Sequence, residues 1–345
     1  MPLSIDKQQV RRILVIKLRA VGDVLLATPA AANLRRCFPD AEITFLTEPP
    51  AAAVVQGNPA ITEVLVFNPG KDNPLSFFYG LYKRRFDLVI DLFGNPRSAQ
   101  MAFFSRARYR VGFPFRGRGY AYNIKVPVRS DIVHNVEFNL DAVRHIGIEV
   151  EPVEPFFPVD TQARSRMKAL LREFRDDGPL IAVNPHGTWE TKRWDFDNFA
   201  ELADRLVEEV NARILIVWGP GEYEHAIEFR KRMRHDAFIP PATTLAELGA
   251  LLSLCHYVIS NDTGPMHIAA ALGIPTLGIF GPTNPFLQGP YGGIHSWIRK
   301  EDLGCIACNQ TRCSIGTPCM KELPVATVLD AFKKLRARAR SERAL

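Results

Sequence analysis

The sequence has 345 residues, more than one ordinary α/β domain needs and about right for two. Apolar residues make up 47% and charged residues 23% of the chain, which excludes an intrinsically disordered protein. Gly and Pro interrupt every apolar run before it reaches the length of a membrane span, and no signal-peptide pattern precedes the first strand. We therefore expect a cytoplasmic protein.

The net charge of +6 is spread unevenly. Between Lys83 and Arg129 there are eleven Lys or Arg against Asp87 and Asp91, a net of +9 in that window alone. The C-terminal segment Phe332–Arg343 adds a second basic block. Such clustering favours an anionic partner, namely a phosphorylated glycolipid, a membrane surface or a nucleic acid. For any single residue, the alternative is ordinary solvated surface charge.

In the first half of the chain, hydrophobic periodicity predicts strands alternating with a helix: strand Ile13–Ile16, helix Gly22–Cys37, and strands Ala41–Leu46, Val64–Phe67 and Asp87–Asp91. The segment Glu151–Asp160, rich in Pro and acidic residues, is typical of the approach to a domain boundary. A helix over Gln162–Phe174 follows it.

The pattern then starts again, with predicted strands Leu180–Pro185, Arg213–Trp218, Tyr257–Ser260 and Thr276–Phe280, and predicted helices Asp197–Glu209, Glu222–Met233, Leu245–Cys255 and Pro265–Leu272. Strands alternating with helices indicate parallel sheets of the α/β class. We therefore predict two doubly wound, Rossmann-like domains, residues 1–175 and 176–345, facing each other across a central cleft. In such sheets ligands bind at the carboxyl ends of the strands.

The segment after the strand Tyr257–Ser260 has the features of a phosphate-binding helix start. Gly264 permits close backbone approach, and Pro265 suits the first helical turn. The amide groups of that turn and the helix dipole favour a diphosphate, with Thr263 and His267 as further donors. The alternative is a helix capped by Asp262 or Thr263, but capping explains neither His267 nor the second Gly-Pro turn that ends the next strand.

Two further polar positions follow strands of the second half. Lys192 lies in a loop with Thr188 and Thr191, where an ammonium group would neutralise a leaving diphosphate. Glu222 follows Gly219-Pro220-Gly221, where a carboxylate would bind ribose hydroxyls. A surface loop and a favourable acid at a helix N-terminus are the corresponding alternatives.

In the first half, the strand at Ile13–Ile16 leads through Leu18–Val21 to Gly22-Asp23. At the mouth of the predicted cleft, Asp23 would act as a general base on an acceptor hydroxyl. Spacing alone favours the simpler interpretation, an acid in the first turn of a helix.

Taken together, these segments resemble the bacterial heptosyltransferases, glycosyltransferase family 9. The resemblance spans nearly the whole chain in order, and the residues that carry it are Gly22-Asp23 with Thr28-Pro29, Lys192–Trp194, Gly219–Glu222, Asp262–His267 and Gly281–Thr283. It implies a GT-B fold with an acceptor domain first and a nucleotide-sugar domain second. It also implies an inverting transfer of heptose from ADP-heptose to the lipopolysaccharide inner core or to lipid A-Kdo, without a required metal or cofactor. The tail is similar to that of the heptosyltransferase II type.

Carried over by resemblance, Asp23 is the base, and Lys192 with Asp262 and the Thr263–Gly264 backbone holds the diphosphate. Thr188 and His267 assist there, and Glu222 matches the ribose contact. Some relatives have paired Thr residues where this chain has Gly187-Thr188. The basic first domain, with Arg97, Arg116 and Arg118, would hold acidic groups of the acceptor, and the enzyme would touch the anionic cytoplasmic face of the inner membrane.

Four cysteines form a cluster with the spacing Cys305-x2-Cys308-x4-Cys313-x5-Cys319. In a cytoplasmic protein this spacing is typical of thiolate metal ligation, and four Cys would make a closed structural zinc site. An iron–sulfur cluster, reduced packed thiols and disulfides are the alternatives.

Two other functions compete with sugar transfer. A nicotinamide-dependent oxidoreductase would use the same Rossmann-like units, but the first strand–helix turn lacks the G-x-G-x-x-G pattern. A nucleic-acid-binding protein would use the basic window, but the sequence contains no known reader motif, so we expect no nucleic-acid partner. Another GT-B nucleotide-sugar transferase also remains open.

Overall fold

The computed structural model describes residues 5–172, 174 and 177–343, with only the backbone of residue 343. The chain forms two compact units, Met1–Pro158 and Val159–Leu345. The predicted boundary, between residues 175 and 176, lies outside the described residues, as does Glu173 in the helix predicted over Gln162–Phe174. The observed border comes earlier because the helix Thr161–Leu170 packs against the helix Leu245–Leu252 and so belongs to the second unit.

The first unit is built on a six-stranded sheet. Its strands are β1 (Arg12–Ile16), β2 (Glu42–Thr47), β3 (Glu63–Val66), β4 (Leu88–Asp91), β5 (Tyr109–Gly112) and β6 (Ile124–Lys125). They are arranged in the order β3-β2-β1-β4-β5-β6, and every neighbouring pair is parallel. All four residues of β4 are buried, as expected of a central parallel strand covered on both faces.

The helices of the first unit are α1 (Val21–Leu25), α2 (Thr28–Cys37), α3 (Pro49–Ala52), α4 (Pro74–Lys83), α5 (Pro96–Phe104) and α6 (Asn135–Arg144). Short 3-10 helices cover Lys7–Gln9 and Phe115–Ala121.

The second unit repeats this plan. Its strands are β7 (Leu180–Asn184), β8 (Arg213–Ile216), β9 (Ala237–Phe238), β10 (Tyr257–Asn261), β11 (Thr276–Phe280) and β12 (Ser296–Arg299), in the parallel order β12-β11-β10-β7-β8-β9. Its helices are α7 (Thr161–Leu170), α8 (Phe196–Val210), α9 (Tyr223–Arg232), α10 (Leu245–Leu252), α11 (Gly264–Ala271), α12 (Pro285–Gln288), α13 (Pro318–Lys321) and α14 (Val325–Arg343). A 3-10 turn covers Glu190–Lys192.

Both sheets therefore have the strand order of a doubly wound nucleotide-binding fold, which confirms the predicted α/β class. In each sheet the order reverses next to the first strand, between β1 and β4 in the first unit and between β7 and β10 in the second. Ligands of such sheets bind at this switch point, outside the carboxyl ends of the strands.

The single helix predicted over Gly22–Cys37 is wrong, because the structure divides it into α1 and α2. Pro29, the second residue of α2, has no amide hydrogen to donate to the Leu25 carbonyl one turn earlier. The Thr28 hydroxyl donates to that carbonyl instead, at 2.7 Å. The break makes α1 a single short turn and thereby fixes where Asp23 lies.

Several elements between Leu92 and Arg144 were not predicted, among them α5, β5 and α6. Arg and aromatic residues interrupt the hydrophobic periodicity there, so the sequence pattern is weak. Within the described residues, no helix combines the length and the apolar character needed to cross a membrane.

Candidate functional site

At the switch point of the second unit, Lys192 and Asp262 form an ion pair. The Lys192 ammonium nitrogen lies 2.6 Å from Asp262 Oδ2, and their side chains are only 16% and 5% exposed. The Thr283 hydroxyl donates to the same carboxylate oxygen at 2.7 Å. The Lys192 nitrogen also lies 4.6 Å from the centre of the Trp189 ring. Three separate strand ends, those of β7, β10 and β11, thus fix the direction of one ammonium group.

The loop that joins β10 to α11 is held from behind by two asparagines. Asn184 donates to Thr263 Oγ1 at 2.7 Å and to Ser260 Oγ at 3.1 Å. Asn261 donates to the Pro185 carbonyl at 2.8 Å and accepts from the Trp194 amide at 3.2 Å. These side chains bind the two loops of the switch point to each other, so the loops form one rigid surface.

The N-terminus of α11 is not capped by either residue that the sequence offered for that role. Thr263 occupies the N-cap position, but its hydroxyl makes no capping hydrogen bond, and it donates to the Asn261 carbonyl instead. Asp262 is engaged by Lys192. The first-turn amide of Gly264 therefore points out of the helix without a side-chain cap, an arrangement suited to an anion. The capping alternative is thus right about the N-cap position of Thr263, but no side-chain hydrogen bond caps the helix.

The remaining donor-site candidates occupy the same edge of the sheet. Thr188 is exposed in the loop after β7, whereas His267 is buried on α11 with 8% exposure. Glu222 is half-buried at the N-cap of α9, after β8. Its Oε2 accepts the Gly219 amide at 2.8 Å and closes the turn, and Gly221 in that turn has a φ of +82° that favours glycine.

His186, directly after β7, is a site residue that sequence reasoning missed. It is 3% exposed and stacks on His225 with 6.3 Å between ring centres. Burial, together with the nearby His225 and Arg193, lowers the pKa of His186 to about 4. The imidazole is therefore neutral at physiological pH. No sequence pattern marks this residue, because only its burial distinguishes it.

At the switch point of the first unit, Asp23 lies in the first turn of α1, after β1. Its Oδ2 accepts the Ala20 amide at 3.2 Å, so it does serve as an acid at a helix N-terminus. The side chain is half-buried. Its negative charge acts on the buried amine of Lys17, the residue that follows β1.

Lys17 and Asp91 are two buried ionisable residues at strand ends that the sequence did not single out. The Lys17 nitrogen donates to the Leu92 carbonyl at 2.9 Å and contacts Asn139 Oδ1 at 3.4 Å. Burial lowers the pKa of Lys17, while the charges of Asp23 and Asp91 oppose that shift. Burial also raises the pKa of Asp91, although a 2.6 Å hydrogen bond from the Tyr122 hydroxyl favours its ionised form.

The three arginines proposed for the acceptor follow neighbouring strands β4 and β5. Arg97, in the first turn of α5, is paired with the buried Glu48 at 3.0 Å. Arg116 is exposed and has a φ of +44°, and Arg118 is half-buried, acting electrostatically on Tyr122. Arg116 is therefore the most accessible of the three, whereas Arg97 already has a carboxylate partner.

The cysteine segment packs against the loops that carry Lys192 and Thr283. The Thr191 hydroxyl donates to the Gln310 carbonyl at 2.9 Å, and the Asn309 amide donates to the Pro282 carbonyl at 2.6 Å. Among the described residues, no group of three or more His, Cys, Asp or Glu side chains is arranged to hold a metal ion. The predicted zinc site is thus not preformed in the part of the chain that the structure covers.

The four thiols nevertheless differ in character. Cys305 and Cys308 are exposed, Cys313 is half-buried and Cys319 is buried. Backbone amides of the turn that follows Cys313, including that of Thr317 at 3.2 Å, lower the pKa of its thiol. Burial, together with the neighbouring thiols, raises the pKa of Cys319 to about 11.

Comparison with known proteins bears on the family and on the fold. Lipopolysaccharide heptosyltransferase 1 of Pseudomonas aeruginosa is 28% identical over 320 residues, which cover 88% of this chain and 87% of that protein. The crystal structure of the glycosyl transferase family 9 from Veillonella parvula aligns with a TM-score of 0.82 at 23% identity, over 97% of this chain and 98% of that one. The structure of E. coli ADP-heptose lps heptosyltransferase II aligns with a TM-score of 0.78 at 20% identity, over 95% and 99%.

At these identities the two solved structures bear on the fold, and they confirm the predicted GT-B class. The model of "Glycosyltransferase family 9 (heptosyltransferase)" matches residues 75–317, well over half of the chain. This match decides against the nicotinamide-dependent oxidoreductase and the nucleic-acid-binding protein. The chain belongs to glycosyltransferase family 9, the heptosyltransferases, and is a glycosyltransferase.

Proposed function

We propose that the protein transfers heptose from ADP-heptose to the lipopolysaccharide inner core, or to lipid A-Kdo, with inversion at the anomeric carbon. The observation that carries this proposal is the Lys192–Asp262–Thr283 group beside the uncapped N-terminus of α11. The family assignment supports the reaction class, and the names of the relatives support heptose as the sugar and lipopolysaccharide as the acceptor.

In this proposal, the second unit binds the ADP part of the donor. The diphosphate accepts the Gly264 amide and the Lys192 ammonium, whose charge offsets the charge that grows on the leaving group. Thr188 and His267 assist on the same side. Glu222 uses the carboxylate oxygen that does not close its own turn, Oε1, to accept a ribose hydroxyl.

The first unit supplies the base. The acceptor hydroxyl loses its proton to Asp23, its oxygen forms a bond to the anomeric carbon, and the bond from that carbon to the diphosphate oxygen breaks, releasing ADP. The Ala20 amide orients the Asp23 carboxylate by donating to its Oδ2 at 3.2 Å. Arg116, with Arg118 and Arg97, attracts phosphate or carboxylate groups of the acceptor.

Mass spectrometry of truncated lipopolysaccharide cores, incubated with a panel of nucleotide sugars, tests the proposal. It identifies which donor sugar is transferred and which core accepts it. ADP-heptose is expected to give the only rapid transfer. Rapid transfer from a different nucleotide sugar, with none from ADP-heptose, would support the alternative of another GT-B transferase and would overturn the heptose assignment.

Variants of the two proposed catalytic residues test the mechanism. Asp23→Asn is expected to lower kcat by about 10²- to 10⁴-fold with nearly unchanged ADP affinity, because the base does not touch ADP. Asp40→Asn, an exposed acid of the same unit, is the matched control. Loss of both transfer and ADP binding in Asp23→Asn would contradict the general-base role.

The transfer itself is proposed to require no metal or cofactor. From spacing alone, we also propose a structural zinc bound by Cys305, Cys308, Cys313 and Cys319, for which the loop would have to rearrange. Metal analysis of the reduced, purified protein is then expected to give about one zinc per chain, lost in Cys308→Ser and retained in Cys37→Ser. Absence of zinc from the wild-type protein would leave the segment as packed, reduced thiols.

We place this reaction in the cytoplasm, at the inner face of the inner membrane, because the proposed acceptor is a lipid. The net positive charge and the basic window Lys83–Arg129 support attraction to such a surface. Fractionation of cells is expected to find the protein partly with the inner membrane at low salt and in the soluble fraction at high salt.

A further inference from the structure

Helix α4 of the first unit carries an apolar face that no part of its own unit covers. Leu75, Tyr79 and Tyr82 are spaced i, i+4 and i+7, so they lie on one side of the helix. They are 76%, 58% and 52% exposed. The adjacent side of the helix, with Phe78 and Leu81, is buried in the core of the unit. The helix therefore presents apolar side chains in two directions, only one of which serves folding.

The apolar face continues onto the neighbouring helix. Phe104, near the end of α5, is 43% exposed and stacks on Phe78 with 5.1 Å between ring centres. Helices α4 and α5 pack against each other. Soluble monomers rarely expose large contiguous apolar patches, and such patches mark interaction sites.

The charged side chains without a salt-bridge partner at the C-terminal end of this face are positive. The ten residues of α4 include no Asp or Glu. Lys83, Arg85 and Arg106 stand at the C-terminal ends of α4 and α5, and none of the three forms a salt bridge within the described residues. The Lys83 nitrogen lies 5.1 Å from the centre of the Tyr79 ring. The patch is thus a set of aromatic and aliphatic side chains fringed with cations.

We propose that the exposed face of α4, formed by Leu75, Tyr79 and Tyr82 with Lys83 at its end, docks onto an anionic phospholipid bilayer. Tyr residues favour the boundary between headgroups and acyl chains, since their rings are apolar and their hydroxyls remain hydrated. Lys and Arg beside them are attracted by the negative surface of the bilayer. An apolar helix face with Lys and Arg at its end, on a helix that contains no Asp or Glu, is typical of a helix that lies in the membrane interface.

A second copy of the chain or a protein partner would use the patch differently. An interface between proteins is normally depleted in Lys, and a two-fold contact would bring the same cations of both copies together. The charge and the residue types together therefore favour the lipid surface. Docking at a bilayer would bring the enzyme to a lipid acceptor, so this inference rests on the proposed function in that respect.

Vesicle sedimentation tests the docking surface without any nucleotide sugar. The wild-type protein is expected to bind vesicles of phosphatidylethanolamine and phosphatidylglycerol, and to bind vesicles of phosphatidylcholine alone much more weakly. Leu75→Ser/Tyr79→Ser/Tyr82→Ser should reduce the partition coefficient at least about tenfold, because three interfacial side chains are lost. Lys83→Glu/Arg85→Glu should reduce it severalfold and abolish the preference for anionic lipid.

Phe156→Ser is the matched control, since Phe156 is a 43% exposed aromatic residue of the same unit outside α4. Circular dichroism and transfer to a water-soluble core fragment establish that the triple variant is folded. Equal vesicle binding by the triple variant and the wild type would overturn the proposal. A concentration-dependent dimer that the triple variant abolishes, without vesicle binding, would overturn it in favour of a second copy. Because vesicle binding needs no donor, a failure of docking is distinguishable from a failure of heptose transfer.

Discussion

Removing the charge of Asp262 should disable Lys192 without changing the shape of the site. In Asp262→Asn the side chain keeps its volume. Its carbonyl oxygen can still accept the Thr283 hydroxyl, which donates to the Asp262 carboxylate at 2.7 Å in the wild type. The Lys192 ammonium, however, loses the carboxylate that holds it at 2.6 Å. The ammonium is then expected to sample several directions instead of one.

The magnitude follows from the geometry of the pair. With side chains only 16% and 5% exposed, solvent screens the contact weakly, and a charge-assisted hydrogen bond of this kind is worth about 1.5–3 kcal/mol. Losing one well-placed donor to a developing negative charge lowers kcat by about 10²- to 10³-fold. We expect Asp262→Asn to lower kcat by about 10²-fold, because the ammonium is misplaced and not removed.

A double-mutant cycle with Lys192→Met separates this effect from a direct role of Asp262. The kcat of wild type, both single variants and the double variant is measured by release of ADP at saturating donor. If Asp262 acts through Lys192, the double variant is no slower than Lys192→Met alone. Asp197→Asn, which removes an exposed carboxylate paired with Arg232, is the matched control and should turn over like wild type.

Two results would refute the reasoning. If the two single effects multiply in the double variant, Asp262 contributes independently of Lys192. If Asp262→Asn turns over like the wild type, the ion pair does not direct the ammonium at all.

Further predictions concern stability. The pKa of His186 is about 4 in the folded protein against 6.5 for the unperturbed group, so the unfolded chain binds a proton that the folded chain does not between these values. Stability is therefore lost as the pH falls below about 6.5. The free energy of unfolding in urea of the wild type, relative to that of His186→Phe, should fall by about 1 kcal/mol between pH 7.5 and 5.5. A difference that stays constant over this range would contradict the burial argument. Gly281→Ala should cost about 1–3 kcal/mol, because a Cβ there would lie 2.5 Å from the Met320 sulfur, whereas Gly293→Ala meets open space and should be neutral in thermal unfolding. Lys17→Met should lower the free energy of unfolding by about 2 kcal/mol, since two buried oxygen acceptors lose their donor, and an unchanged free energy would show that they find other partners.

Much of the donor side was predictable because its residues follow strands closely in sequence. Asp262, Thr263 and Gly264 come directly after β10. The loop between a parallel strand and the following helix lies at the carboxyl edge of the sheet, where ligands bind. Local signals such as Gly264 and Pro265 therefore mark both a structure and a binding position. The same reasoning located Glu222 after β8.

What the sequence could not reveal depends on contacts between distant segments. His186 and Lys17 look like ordinary polar residues until the fold buries them, and only burial shifts their pKa values. The partnership of Lys192 with Asp262 joins residues 70 apart in the chain. The break between α1 and α2, by contrast, is marked in the sequence by Pro29, which has no amide to donate, and the prediction of a single helix overlooked this signal.

The sequence by itself determined the α/β class, the repeated strand–loop–helix plan and the positions of Asp23, Lys192 and Asp262 at strand ends, because periodicity and turn residues act over a few positions. Only the tertiary structure decided the strand order of the two sheets, and with it the two switch points at which these residues gather. It also decided that Thr263 leaves the first turn of α11 uncapped, and that α4 keeps an apolar face outside the core. Hydrogen-bond partners and burial are set by segments far apart in the chain, and no local pattern encodes them.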